Sequence, residues 1–564
     1  MSPRFARFVF LLTAVFFAVF FVWPVFQILK GGFINADGRF TPGYVGAVLR
    51  DPVYLEGFFN AFRLACSTTA AAFLIGVPLA FISDRFVFPG RGLLGAVVLV
   101  PMILPPFVGA IGIRQIFGQY GALNAFLIQL GARPAGWSFD WFAANQFWGI
   151  VAVNALSLYP IVYLNTAAAL ANVDPAMEEA AQNLGCTGWR RFFRVTLPLI
   201  RPGLFAGGTI VFIWSFTELG VPLIFDYTRV TSVQIFDGLK NIGNNPFPYA
   251  LVSVLLVAST LVYVVGKGVF GRAGHAMMAK ATSSGGARRL PVAGALVCSL
   301  AFGGVTALAV LPHAGVVFMA FGRDWFGSVF PGRYTLENFR LALGHDLTVP
   351  AIANSLKFAS LSTLVDLVLG VTIAWVVVRS RVAGRQALDL LAMLPLAVPG
   401  LVLAFGYLAM SQEGRFFAFL NPVENPTVLL IVAYAVRRLP YVVRSAVAGF
   451  QQASETLEEA AQNLGCPPLK SVVRVTLPLI AANLIAGGLL AFAFAMLEVS
   501  DSLILAQKQA FYPITKSILE LFQLLGDGQF IASALGVWAM AFLAAVIVGA
   551  SLLLGKRLGA IFRV

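Results

Sequence analysis

The chain has 564 residues, 59% of them hydrophobic and only 11% charged, and its 39 Lys and Arg against 25 Asp and Glu give a formal charge of +14. A soluble protein of this length would divide into several domains and carry about 25% charge on its wetted surface, so the composition excludes a soluble enzyme and indicates a polytopic membrane protein. The basic residues gather in short stretches between apolar runs, which is a topology signal; it argues against a phosphate-binding face and a nucleic-acid partner.

In chain order, Arg4 and Arg7 precede an apolar run from Phe8 to Leu29 with no small-residue cleavage site after it, so a retained first span is expected. A bilayer core takes roughly 20 apolar residues per helix. The pattern predicts twelve spans, at 5–29, 58–82, 93–117, 146–171, 203–225, 248–270, 291–321, 353–378, 388–410, 427–450, 483–505 and 530–555. Every second connection is basic, as with Arg85 and Arg91, Arg190, Arg191 and Arg194, and Arg379, Arg381 and Arg385. The alternate loops mix acids with bases, so both termini are expected in the cytoplasm.

Prolines interrupt the third span at Pro101, Pro105 and Pro106 and the ninth at Pro395 and Pro399. Proline leaves a carbonyl unpaired and kinks a helix, which makes Pro105 and Pro399 candidate gate or kink positions. After the fourth span the chain is too polar for lipid: Asp174-Pro175 offers an N-cap and a first-turn proline, and Gly185 a terminator, so a short helix outside the bilayer is expected. Glu218 follows in the fifth span, where an acid at the bilayer centre costs roughly 2.5–3.5 kcal/mol on insertion scales. Residues 272–290, rich in Gly, Ser and Ala with bases and no acid, read as a cytoplasmic linker.

Beyond the linker the same unit returns. Residues 178–200 and 458–480 share 16 of 23 positions at an offset of 280, and Glu218 has its counterpart in Glu498. Earlier in each half the offset is 294, pairing Gly76 with Gly370, Arg85 with Arg379 and Pro105 with Pro399. The fold class expected is all-α, with about twelve transmembrane helices in two homologous six-helix halves, 1–271 and 291–564, carrying polar loops at 174–200 and 454–480. Each half starts on the same side, so the repeats are parallel and can enclose a path.

Glu218 and Glu498 are pathway candidates, and as paired oxygen ligands they would suit a passing hard cation such as ferric iron, or an ammonium group. Arg437 and Arg438 lie mid-span beside Pro440, where the first half has Ser157 and Leu158. One of them is expected to pair with Glu498 and the other to line the path or meet an anion. Asp366, which has Ala72 opposite it in the first half, ranks below them.

The pattern EAA, three residues, Gly, nine residues, a β-branched residue, any residue, Leu-Pro resembles the EAA loop of bacterial ABC importer permeases. Glu179-Ala180-Ala181, Gly185 and Val195 to Pro198 fit it, as do Glu459-Ala460-Ala461, Gly465 and Val475 to Pro478. The resemblance implies the permease of a type I importer in the bacterial inner membrane. Its loops, with Glu178 and Glu458 opening the two blocks, would dock two separate ATPase subunits, and a periplasmic binding protein would meet the opposite face. Fused permeases of this layout look most like the ferric-iron branch, with thiamine, polyamine and phosphonate relatives nearby. The chain itself has no GxxxxGK[ST] phosphate loop and no nucleophile–base pair. No catalysis and no cofactor are therefore expected here, ATP and Mg belonging to the partner subunits. The rival from another class is an ion-coupled secondary carrier, which also uses repeats and intramembrane acids.

Overall fold

A backbone in hydrocarbon must satisfy its own polar groups, so long apolar runs become helices. The computed structural model describes residues 3–35, 37–142, 145–239, 245–270 and 288–554. Among them eight helices are long and apolar enough to cross a membrane, and eleven are if each of three bent pairs counts as one span. The first half supplies Phe5–Phe33, Pro52–Arg85, the bent pair Arg91–Met102 and Pro106–Gln129, then Gln146–Ala171, Gly188–Phe216 and Phe247–Gly266. The second supplies Val292–Phe321, Thr348–Arg379 and the bent pairs Arg385–Leu396 with Gly400–Met410 and Pro468–Leu479 with Ala481–Met496, closing on Gly528–Gly549. The one expected span not among these, the tenth, is the helix Thr427–Gln452, which Arg437, Arg438 and Arg444 make less apolar than the others and which is largely buried among them. The all-α, two-half architecture is the one expected from sequence. Of the linker, residues 272–287 lie outside the described residues; Arg288–Arg289 pair in parallel with Phe86–Val87.

Within each half the second and fourth spans pack together, Pro52–Arg85 on Gln146–Ala171 and Thr348–Arg379 on Thr427–Gln452. Small residues permit the approach. A Cβ on Gly76 would lie 2.9 Å from the Tyr159 carbonyl oxygen, and one on Gly370 would lie 2.7 Å from Val442 Cγ1.

The first span of each half crosses to the other half. Phe5–Phe33 lies on Gly400–Met410, where Tyr407 Oη donates to the Phe20 carbonyl at 2.6 Å, and Val292–Phe321 lies on Pro106–Phe117. Both crossings set a glycine against a proline: Gly406 on Pro24 and Gly112 on Pro312. A Cβ on Gly112 would overlap the Pro312 carbonyl oxygen and reach 2.7 Å from the Val316 nitrogen, whereas one on Gly303 would meet open space. Gly112→Ala should therefore destabilise the chain by about 1–3 kcal/mol, as overpacking does, and Gly303→Ala should not. Thermal unfolding of the two variants in detergent, followed by tryptophan fluorescence, checks this.

Candidate functional site

Each polar loop is a short helix tied down by one carboxylate. Asp174 accepts from the Ala176 N–H at 2.9 Å and starts Pro175–Asn183; Ser454 starts Glu455–Asn463 in the second copy. The helices end where Gly185 and Gly465 take φ of +76° and +85°. At the first, the N–H groups of Gly185 and Cys186 return to the carbonyls of Gln182 and Ala181, each at 2.9 Å, so the last turn is closed without a ligand.

Glu178 points inward and is 4% exposed, accepting from Arg85 at the end of the second span and from Thr196 Oγ1 at 2.6 Å. Glu458 repeats the arrangement with Arg379 Nε at 3.2 Å and Thr476 Oγ1 at 2.8 Å. Thr196 and Thr476 close π-helical turns, Phe192–Thr196 and Val472–Thr476, ahead of Leu-Pro sequences whose proline has no N–H for a regular turn. Glu179, Ala180, Glu459 and Ala460 face outward, with Ala181 and Ala461 half-buried beside them. Leu184 and Leu464, just before the terminal glycines, are 88% and 91% exposed. Met177 and Trp189 flank the first and Leu457 and Leu469 the second, all exposed. Of the residues expected at the loop surface, Glu178 and Glu458 instead anchor the helix to its own half, and the rest lie at or near the surface.

Four helix breaks meet at a central cavity of ≈ 150 Å³. Two are the prolines of the third and ninth spans. The other two differ from the continuous fifth and eleventh spans expected: the helices stop at Phe216 and Met496, and Gly220–Ile224 and Ser500–Leu505 start anew. Each glutamate lies at the break, and its carboxylate meets N–H groups of the short helix that begins after it. Glu218 Oε1 accepts from the N–H groups of Gly220 and Val221 at 3.0 and 3.2 Å, and Glu498 Oε1 approaches the Asp501 N–H at 3.4 Å. Pro105, Pro399, Glu218, Glu498, Arg437 and Arg438 all line this one cavity.

Their pairing is unequal. Glu218 has backbone partners and no ion pair among the described residues. Glu498 accepts from Arg437 Nη1 at 2.6 Å and from Arg438 Nη2, and Arg437 reaches Asp501 at 3.1 Å. Both arginines, not one, therefore go to Glu498. Glu218 and Glu498, the expected metal pair, are thus not two free carboxylates here, because the oxygens of Glu498 are held by two guanidinium groups. Among the described residues no cluster of three or more His, Cys, Asp or Glu could hold a metal ion.

Four participating residues are not marked as such by the sequence. Asp501, fully buried, is the third acid of the cluster and lies three residues after Glu498. Arg85 and Arg379 were visible only as topology signals, although both recur between the halves, at an offset of 294 where Glu178 and Glu458 recur at 280. His313, buried on the seventh span, places Nε2 3.3 Å from the carbonyl oxygen of Pro105 and so joins one half to the kink of the other; nothing local marks it.

A family model described as binding-protein-dependent transport system inner membrane component matches residues 73–274 and 366–559. The ferric transport system permease protein FbpB of Actinobacillus pleuropneumoniae is 25% identical over 511 residues, covering 85% of this chain and 69% of that protein. The sulfate transport system permease protein CysT of Escherichia coli is 32% identical over 193 residues, 33% of this chain and 66% of that protein. A crystal structure of a bacterial ABC transporter involved in the import of the acidic polysaccharide alginate aligns with 45% of this chain and 94% of that chain, at 14% identity and a TM-score of 0.35.

Proposed function

The chain belongs to the family of binding-protein-dependent transport system inner membrane components, whose segment it carries twice, and from that membership we propose that it forms both lobes of the path through which an ATP-driven importer carries ferric iron. It is a multi-pass membrane protein and an ABC importer permease subunit. In the proposed cycle two ATPase subunits bind the EAA loops on the cytoplasmic face of the inner membrane. A periplasmic binding protein delivers cargo to the opposite end, near the loops at 30–57 and 322–352.

The observation that carries the coupling is the matched pair of bare leucines, Leu184 and Leu464. Exposed apolar side chains grouped on one polar loop, as Leu184 is with Met177 and Trp189 and Leu464 with Leu457 and Leu469, support a partner surface, and the recurrence in both halves supports two copies of that partner. A secondary carrier has no use for such knobs. Burying a leucine contributes about 1.5–3 kcal/mol, so Leu184→Asp with Leu464→Asp should weaken capture of the ATPase subunits at least tenfold while the permease remains folded. Co-purification and size-exclusion chromatography read both.

Iron as cargo is supported by the length of the ferric relatives' match, which runs across both halves. An oxyanion such as sulfate is the second reading, favoured by the arginines that line the cavity and by the sulfate permease's likeness over a third of the chain. Proteoliposomes holding the complex and its binding protein should accumulate radioactive ferric iron in an ATP-dependent manner and leave sulfate outside. The opposite result replaces the cargo and leaves the coupling in place.

A further inference from the structure

The eighth span, Thr348–Arg379, carries a single acid, Asp366, which is fully buried. Neither of its carboxylate oxygens has a hydrogen-bond partner among the described residues, and one turn earlier the buried Thr363 hydroxyl is also unpartnered. Buried carboxylates are ordinarily paired or hydrogen-bonded, so this position needs an explanation. The span packs along Thr427–Gln452, with Gly370, one turn after Asp366, set against Val442, one turn after Arg438. Arg438 gives Nη2 to Glu498 and to the Phe494 carbonyl, yet its Nε is buried with no acceptor. A carboxyl and a guanidinium, each with unmet hydrogen-bonding capacity, thus lie on helices in contact.

The first half acts as an internal control. Ala72 stands at the position of Asp366 and Leu158 at that of Arg438. Both belong to one apolar cluster between the second and fourth spans. The acid and the base are therefore present together in one half and missing together in the other, as a functional pair would be.

We propose that Asp366 is the second acceptor of Arg438, whose guanidinium passes from Glu498 to Asp366 as the central cavity changes between its two transport forms. The inference rests on the coupled permease function proposed for the chain. Exchange of acceptors keeps the buried cation paired throughout, whereas simple rupture would strand it. Asp366 acts through Arg438 and does not need to touch cargo, which makes it a positioning residue. The asymmetry also assigns the two lobes different parts, since only the second has the relay.

The test uses the full complex with its ATPase subunits in proteoliposomes. Dicyclohexylcarbodiimide, which adds to carboxyl groups without a counter-ion in apolar surroundings, is applied without nucleotide and again after trapping with ATP, magnesium and vanadate. Labelling of Asp366, read by peptide mass spectrometry, should differ at least fivefold between the two states, and Arg438→Gln should remove that difference. Equal labelling in both states of a complex that traps nucleotide overturns the exchange. A complex that traps no nucleotide overturns instead the coupling on which it rests. A second measurement avoids the reagent: Asp366→Asn keeps the size of the side chain and leaves the Arg438–Glu498 pair in place, so it should fold as well as the natural chain and lose transport at least tenfold. Transport by Asp366→Asn at the natural rate would refute the exchange.

Discussion

Glu498→Gln should fail to accumulate as folded protein, while Glu218→Gln should accumulate normally and transport at least tenfold more slowly. The two glutamates hold equivalent positions in the repeat and line one cavity, yet their surroundings assign them opposite work. Glu498 is the acceptor on which Arg437 and Arg438 converge. With glutamine there, Asp501 alone would face two buried guanidinium groups, and breaking a buried pair by removing one partner costs about 3–5 kcal/mol. That is a large part of the roughly 5–15 kcal/mol by which a typical domain is stable. Among the described residues the Glu218 carboxylate is bound only by the Gly220 and Val221 N–H groups. Glutamine retains an oxygen for that cap and removes only the charge presented to the cavity. Fluorescence-detected size-exclusion chromatography gives the yields, and uptake into proteoliposomes gives the rates. Equal yields for the two variants would show that the arginine cluster is not structural.

Replacing Glu178 and Glu458 together by glutamine should uncouple the machine: ATP hydrolysis by the assembled complex persists and uptake falls at least tenfold. These acids do not lie on the loop surface. They tie each short helix to an arginine at the end of the second span and to a threonine of the π-helical turn. Hydrogen bonds to charged groups contribute about 1.5–3 kcal/mol each, so the loop helix would keep its outward face and lose its rigid link to the membrane helices. Parallel measurement of hydrolysis and uptake checks this, and a loss of both in equal proportion would count against it. Glu179→Gln with Glu459→Gln alters the exposed face instead and should act through subunit binding.

The sequence was most informative where one segment states its own structure. Run length and the repeat predicted the helices and their division into halves, and Asp174 and Gly185 marked the first loop helix through a cap and a terminator that are local by nature. Hydropathy reports how long a run is, not whether it bends, so the fifth and eleventh spans read as continuous although they break at Glu218 and Glu498. Arg437 and Arg438 could be recognised as intramembrane charges, but their common acceptor is set by tertiary geometry. The crossing of the first spans was hidden for another reason. Gly112 and Gly406 repeat at an offset of 294, whereas Pro24 and Pro312 repeat at 288, so no single register aligns both sides of the contact.

That crossing bears on how the protein is made. Phe20 and Tyr407 are 387 residues apart, and at about 5–20 residues per second a ribosome takes about 20–80 s to travel from one to the other. For that time the earliest helix sits in lipid with its resting place unwritten, open to wrong neighbours and to quality-control proteases. Two separate polypeptides would have to find each other by diffusion during the same vulnerable period. Joining them on one messenger tethers the waiting helix to its seat and makes the meeting certain in order, one reason for a cell to keep both lobes in a single gene product.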